Sequence, residues 1–336
     1  MTLSTRRLSL LAAPVALAGV LLLAPKLLGR TASDGLAAVD GADSGWLGLA
    51  AVLFAGSFLA TVGGWRTALS ASGGRICALQ ATARIGVGAM VNAFAPAKLG
   101  DAVKIALCSR AIDGPDRIWT AGGVYAALGA ARCLTLALFV VAASVAGALP
   151  LWPVFVLLGV VALLGVVARS SKRWRNHHRI AHLLEGFAAL ERSPGAALAV
   201  LGWTLAAALA RFGATAAVAA ALGFPHAVLA ALVILPAIDL AAMIPAGAGN
   251  VGVASGAVAV ALRSRGIGVS DAIACGVVIQ ALETLVSLTF GSLGGLYLVR
   301  PNPTVRRWAM RASAIGVPVG LAGLAAVVGV LVFDLV

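Results

Sequence analysis

Apolar runs long enough to cross a membrane recur along this chain, and that recurrence limits its fold more than any other feature. A helix spanning the hydrocarbon core needs roughly 20 mostly apolar residues. Stretches such as 8–28, 46–64 and 195–222 have this character. Charged residues are 11% of the sequence and hydrophobic ones 61%, whereas soluble domains carry about a quarter charged residues. A soluble fold would therefore leave a large apolar surface in water. The runs are rich in Ala, Leu, Val and Gly and lack period-two alternation, so they read as helices and not as barrel strands. The expected fold is an all-α polytopic membrane protein, one integral membrane domain over residues 1–336.

Punctuation divides the chain into about seven transmembrane helices, at 8–28, 46–64, 119–147, 151–167, 195–222, 271–299 and 313–336. Trp46 opens the second span and Trp65-Arg66 closes it as an interfacial pair. Two irregular regions interrupt the series. In 77–110, an apolar piece at 84–90 and a second piece from Gly100 onward flank a break at Pro96, and neither is long enough to span. The other region, 225–262, is expected to break at Pro236 and again at Pro245.

The formal charge of +13 would point to nucleic acid in a soluble protein. In a membrane chain, lysines and arginines collect in cytoplasmic loops and meet anionic headgroups there, so no nucleic-acid partner is expected. We assign both irregular regions as re-entrant hairpins, the first entering from the cytoplasm and the second from outside. Lys26, Arg30, Arg263 and Arg265 then lie outside, Arg132 and Arg211 lie at membrane depth, and the other 19 of 25 Lys/Arg fall on the cytoplasmic side or in the first hairpin. A full crossing by the second region would instead turn the arginines at 300, 306, 307 and 311 outward. This places the protein in the plasma membrane with a cytoplasmic N-terminus. Arg6-Arg7 before an apolar run resembles a signal peptide, but no small-x-small cleavage site follows, so a retained first helix is expected. The basic segment 169–179, with His177, His178 and nearby His182, reads as a headgroup-facing loop, not a metal cluster. Cys77, Cys108, Cys133 and Cys275 form no CxxC pair and read as small core residues.

The irregular regions resemble each other. Phe94-Ala95-Pro96-Ala97-Lys98-Leu99-Gly100-Asp101 and Met243-Ile244-Pro245-Ala246-Gly247-Ala248-Gly249-Asn250 share apolar-x-Pro-Ala-x-x-Gly-[Asp/Asn], 149 residues apart. A looser match, starting at Ala127 and Val278, recurs at an offset of 151. The halves, about 46–167 and 195–299, then form an inverted repeat, as in many transporters. The extra helices 8–28 and 313–336 lie outside it. Gly247 to Gly252 spells G-x-G-x-x-G, but without a strand and a βαβ unit it is no dinucleotide fingerprint. Gly252 and Gly256 form a GxxxG suited to close helix packing.

A proline break at membrane depth is tolerated only inside protein or along a wet cavity. Helix N-termini beside it expose free N–H groups and suit phosphate or carboxylate. Asp101 or Asn250 also suits a helix cap. A charge at the bilayer centre costs roughly 2.5–3.5 kcal/mol, so it has a partner or a function. The candidates are Arg132, Arg211, Asp239 and Glu283. Arg132 and Glu283 occupy matching repeat positions with opposite charge, as for an ion pair between halves or a headgroup or proton-coupling site. Arg211 suits a structural pair with Asp239.

The run from Asn92 through Pro96, Lys98, Gly100 and Asp101 to Lys104 resembles the transmembrane, flippase-like region of lysylphosphatidylglycerol synthases, whose motif resembles N-x-F-x-P-x-[RK]-x-G-D-x-x-[RK]. The segment 244–262, with Pro245, Gly249 and Asn250, is similar to a second family motif. The resemblance extends over most of the chain and is to a stand-alone member without the aminoacyl-transferase domain. It implies binding or movement of a phospholipid or polyprenyl-linked lipid in the bilayer. The family tends to carry acids where this chain has Ala131 and Thr135, and an arginine where it has Glu283. The expected substrate-binding residues are Asn92, Pro96, Lys98, Gly100, Asp101, Lys104, Arg132, Asp239, Pro245, Gly249, Asn250 and Glu283. An anionic headgroup would sit between the two breaks, near Lys98, Lys104 and Arg132. No catalytic residue, metal or cofactor is expected, since Asp101, Asp239 and Glu283 are scattered and form no Mg²⁺-gathering cluster. The competing readings are a small-solute secondary transporter and an intramembrane enzyme acting on a lipid phosphate.

Overall fold

The computed structural model describes residues 41–94, 99–147, 155, 159, 187–241, 250–263 and 265–299. The expected spans 8–28 and 313–336, nearly all of 151–167, the basic segment, and Pro96, Lys98, Pro245 and Gly249 lie outside the described residues. Among the described residues, the α-helices with both ends described follow in order: α1 (Ser44–Ala71), α2 (Ala78–Phe94), α3 (Leu99–Cys108), α4 (Arg117–Val145), α5 (Pro194–Ala221), α6 (Ala227–Ala241), α7 (Asn250–Arg263) and α8 (Val269–Val299). No strand occurs among the described residues. Four of these helices, α1, α4, α5 and α8, are long and apolar enough to cross a membrane. Large apolar side chains such as Leu198, Val260 and Leu138 stand exposed on their flanks, which suits lipid and not water.

Local chemistry accounts for the helix ends. Asp43 precedes α1, and its carboxylate accepts from the N–H groups of Gly45 (2.8 Å) and Trp46 (3.3 Å). Pro194 opens α5, where its missing N–H costs nothing. Gly223, with φ of 71°, closes α5 while the Phe224 amide returns to the Ala219 carbonyl at 3.0 Å.

Helix lengths repeat as long, short, short, long. The starts of α1 and α5, α2 and α6, α3 and α7, and α4 and α8 lie 150, 149, 151 and 152 residues apart, close to the offsets of the sequence motifs. Three contacts order the ends. The Asp43 amide donates to Ala221 O at 3.0 Å, joining the start of α1 to the end of α5. The Arg75 amide donates to Ala111 O at 3.0 Å, so α2 begins where α3 finishes. Arg265 Nη2 reaches Gly147 O, bringing the end of α7 to the end of α4.

Among the described residues, two large buried clusters hold the helices together. One gathers Phe54, Val218, Ile234, Val258, Leu262 and Ile279 from α1, α5, α6, α7 and α8. The other gathers Trp65, Leu69, Ile85, Cys108 and Val124 from α1 to α4. Helix α1 serves both, and it packs along α5. There the Ser57 hydroxyl donates to Ala207 O at 2.8 Å, and a side chain at Gly63 would strike the Trp203 ring.

Some expectations need correction. Trp65 does not close a span at the interface. Helix α1 runs on to Ala71, and Trp65 is buried beside Tyr125, ring centroids 6.0 Å apart. Pro236 does not break its helix: α6 continues through it, because buried neighbours on both sides, Ile234, Leu235 and Ile238, pin the helix against the core. Gly256 faces open space and mediates no close packing. The close approach lies between α2 and α8. A Cβ on Gly86 would fall 2.5 Å from Phe290 O, and one on Gly294 would fall 2.5 Å from Ala83 O.

Candidate functional site

The sequence motif on α2 and α3 resolves into a hydrogen-bonded knot. Helices α2 and α3 can only approach as they do because residue 100 is glycine: a Cβ there would collide with the Gly88 carbonyl oxygen and with Asn92. That approach sets Asp101, in the first turn of α3, beside Asn92 near the end of α2. Asn92 Nδ2 donates to Asp101 Oδ1 at 2.8 Å, and Lys104 Nζ donates to the same oxygen at 2.9 Å. The Tyr125 hydroxyl of α4 donates to Asp101 Oδ2 at 2.8 Å. The Asp101 carboxylate therefore joins three helices and does not serve as a simple cap. Lys104 is already paired within the knot, with 17% of its side chain exposed.

The second constellation is a chain of charges across four helices. Arg132 Nη2 of α4 donates to Asp239 Oδ1 of α6 at 2.7 Å. Arg211 Nη1 of α5 donates to that same oxygen at 2.5 Å, and its Nε donates to Glu283 Oε1 of α8 at 2.7 Å. The pairing of Arg211 with Asp239 follows the sequence reading. Arg132 and Glu283, which the sequence reading set at matching positions of a repeat, do not touch; they are linked through Asp239 and Arg211. Exposure differs sharply along the chain: 62% for the Arg132 side chain, against 17% for Arg211 and 11% for Asp239. Arg211 and Asp239 are shielded from solvent and bound to each other, so the removal of either strands a charge. Arg132 points one donor at Asp239 and has guanidinium N–H groups left for another partner.

Both constellations line one cleft of ≈ 430 Å³. Its walls also carry apolar side chains, among them Phe58, Leu136 and Phe139, so charged groups and hydrocarbon share one space. Of the twelve expected site residues, Asn92, Asp101, Lys104, Arg132, Asp239 and Glu283 come together here. Gly100 acts behind them by admitting the α2–α3 approach. Pro96, Lys98, Pro245 and Gly249 lie outside the described residues, and Asn250 is described only as the first residue of α7. Sequence reasoning placed Arg211 at membrane depth but left it out of the site, and it missed Tyr125 altogether. The available signal was helical spacing: Tyr125, Gly129 and Arg132 stand at i, i+4 and i+7 and share a face of α4.

No curated protein and no solved structure gives a significant match. The family model described as Lysylphosphatidylglycerol synthase TM region matches residues 8–291, and the motif on α2 and α3 falls inside that match. The chain is a membrane protein of the Lysylphosphatidylglycerol synthase TM region family, related to lipid metabolism.

Proposed function

We propose that this protein binds the phosphate-bearing headgroup of an anionic membrane lipid, a phospholipid or a polyprenyl-linked lipid, in the cleft and passes it across the plasma membrane. The observation that carries this reading is Arg132. It is a cation beside an apolar-walled cleft, largely exposed, with one carboxylate contact and further donors to spare. A guanidinium in that state suits a phosphate oxygen pair. The lining of Phe58, Leu136 and Phe139 beside it suits the start of an acyl or prenyl chain.

On the same reading, α2–α3 and α6–α7 are the re-entrant hairpins of an inverted repeat. The matching helix starts and the meeting of the outer ends of α2 and α3 support this. Arg66, Arg75, Arg110, Arg117 and Arg192 lie at or near the end where α2 begins and would face the cytoplasm. Arg263 and Arg265 lie at the other end, with Asp43 and Asp271. With the spans outside the described residues, about seven helices cross and the N-terminus is cytoplasmic. The protein acts as a carrier, not an enzyme, and uses no cofactor or metal ion.

The test is reconstitution into vesicles holding a tail-labelled anionic phospholipid, with quenching of outer-leaflet label over time. Arg132→Ala should slow movement at least tenfold while the protein keeps its thermal stability. Equal rates for wild type and variant would sink the assignment. The cleft volume also falls in the range of small-molecule pockets, roughly 300–1,000 Å³, which favours a free phosphorylated solute as the second reading. Uptake of labelled inorganic phosphate into the same vesicles separates the two.

A further inference from the structure

The cleft has two polar poles on one side of α4. At one pole, Tyr125 joins the knot around Asp101; at the other, Arg132 joins the charge chain. Two helical turns separate Tyr125 from Arg132, roughly 10 Å along the axis. Gly129 lies between them on the same face and lines the same cleft. A Cβ built on Gly129 meets nothing within 4 Å, so the space beside it is open. Tyr125, Gly129 and Arg132 are all exposed, and the cleft opens past them.

The poles differ in kind. Arg132 has a cation to offer. At the Asp101 pole the carboxylate is already matched by Lys104, leaving a neutral, hydrogen-bonding surface. A phosphate alone would be satisfied at Arg132. A headgroup that continues past its phosphate would have to cross Gly129 to reach Tyr125 and its partners.

We infer that Gly129 is a specificity-determining residue: the missing side chain keeps a passage between the poles, and its size sets how large a headgroup the cleft accepts. The inference rests on the lipid reading above. It differs in kind from the packing role of Gly86 or Gly294, because no neighbour occupies the space at Gly129.

The experiment compares tail-labelled phosphatidic acid, phosphatidylglycerol and phosphatidylinositol in the same vesicles. The proteins are wild type, Gly129→Ala, Gly129→Leu and a control, Gly202→Leu. Gly202 also has open space at its Cβ but lies outside the cleft lining. Gly129→Leu should keep phosphatidic acid within twofold of wild type and slow phosphatidylinositol at least tenfold, with phosphatidylglycerol between. Gly129→Ala should change the headgroup ratios the same way by about threefold; it carries the test if the leucine variant does not fold. Gly202→Leu should leave the ratios as in wild type. Unaltered ratios in the folded Gly129 variants, or the same change in Gly202→Leu, would overturn the inference while leaving lipid movement intact. A wild type that moves none of the three lipids overturns the phospholipid form of the transport reading, and this inference with it.

Discussion

Asp239 accepts from two arginines through a single oxygen, and the two donors are not equivalent. Arg211 is shielded and also holds Glu283, whereas Arg132 is mostly exposed. Deleting one partner of a buried pair leaves a stranded charge and costs roughly 3–5 kcal/mol. Arg211→Ala should therefore lower unfolding stability in detergent by about that amount, and Arg132→Ala should cost far less because Asp239 keeps Arg211 as its partner. Chemical denaturation of both variants checks the order; equal losses would contradict it. These charges were legible in the sequence because a charge in an apolar run is expensive and needs a reason. Their pairing was only half legible. Position within an apolar run indicates depth, but the partner depends on how helices are rotated against one another, so Arg132 found Asp239 and not Glu283. Tyr125 was not legible because a tyrosine inside a span reads as packing until the carboxylate it reaches is known.

At the scale of elements, small residues decide which helices touch. Helix α2 lies against α8 so closely that Gly86 and Gly294 each leave no room for a side chain against the facing backbone. Backbone cannot yield as a flexible side chain does, and overpacking costs typically 1–3 kcal/mol or more. Gly294→Leu should lower the melting temperature measured by thermal aggregation in detergent, while Gly56→Leu, with open space at its Cβ, should leave it near wild type. Element positions were well marked in the sequence: the starts of α1, α4, α5 and α8 fall within two residues of the spans expected from apolar length. The contacts were not. Sequence assigned close packing to Gly252 and Gly256, yet Gly256 faces open space. It also expected a break at Pro236, where buried packing carries α6 through. A glycine or proline permits a geometry, and the neighbours determine whether it is used.

For the whole molecule, the proposed orientation is open to direct test. Cys77 is exposed at the arginine-rich end, beside the start of α2. Arg265 lies at the opposite end, by the close of α4. In a background lacking the other cysteines, an impermeant thiol reagent should label Cys77 only after the cells are opened. With Cys77 replaced, Arg265→Cys should be labelled in intact cells. Labelling of both under the same condition would remove the inverted arrangement. The charges along the cleft have a consequence for energetics. Among the described residues, six charged side chains line it, Lys104, Arg132 and Arg211 against Asp101, Asp239 and Glu283, and the formal charges of these six cancel. A monoanionic headgroup carried through a neutral passage takes its own charge across the field, worth about 2.3 kcal/mol per 100 mV. Lipid movement should then be electrogenic, and a potential negative inside would drive export without any chemical fuel. Imposing a potassium diffusion potential on the vesicles should speed transfer in one direction and slow it in the other. In living cells the resting voltage alone would then hold the two leaflets at unequal composition.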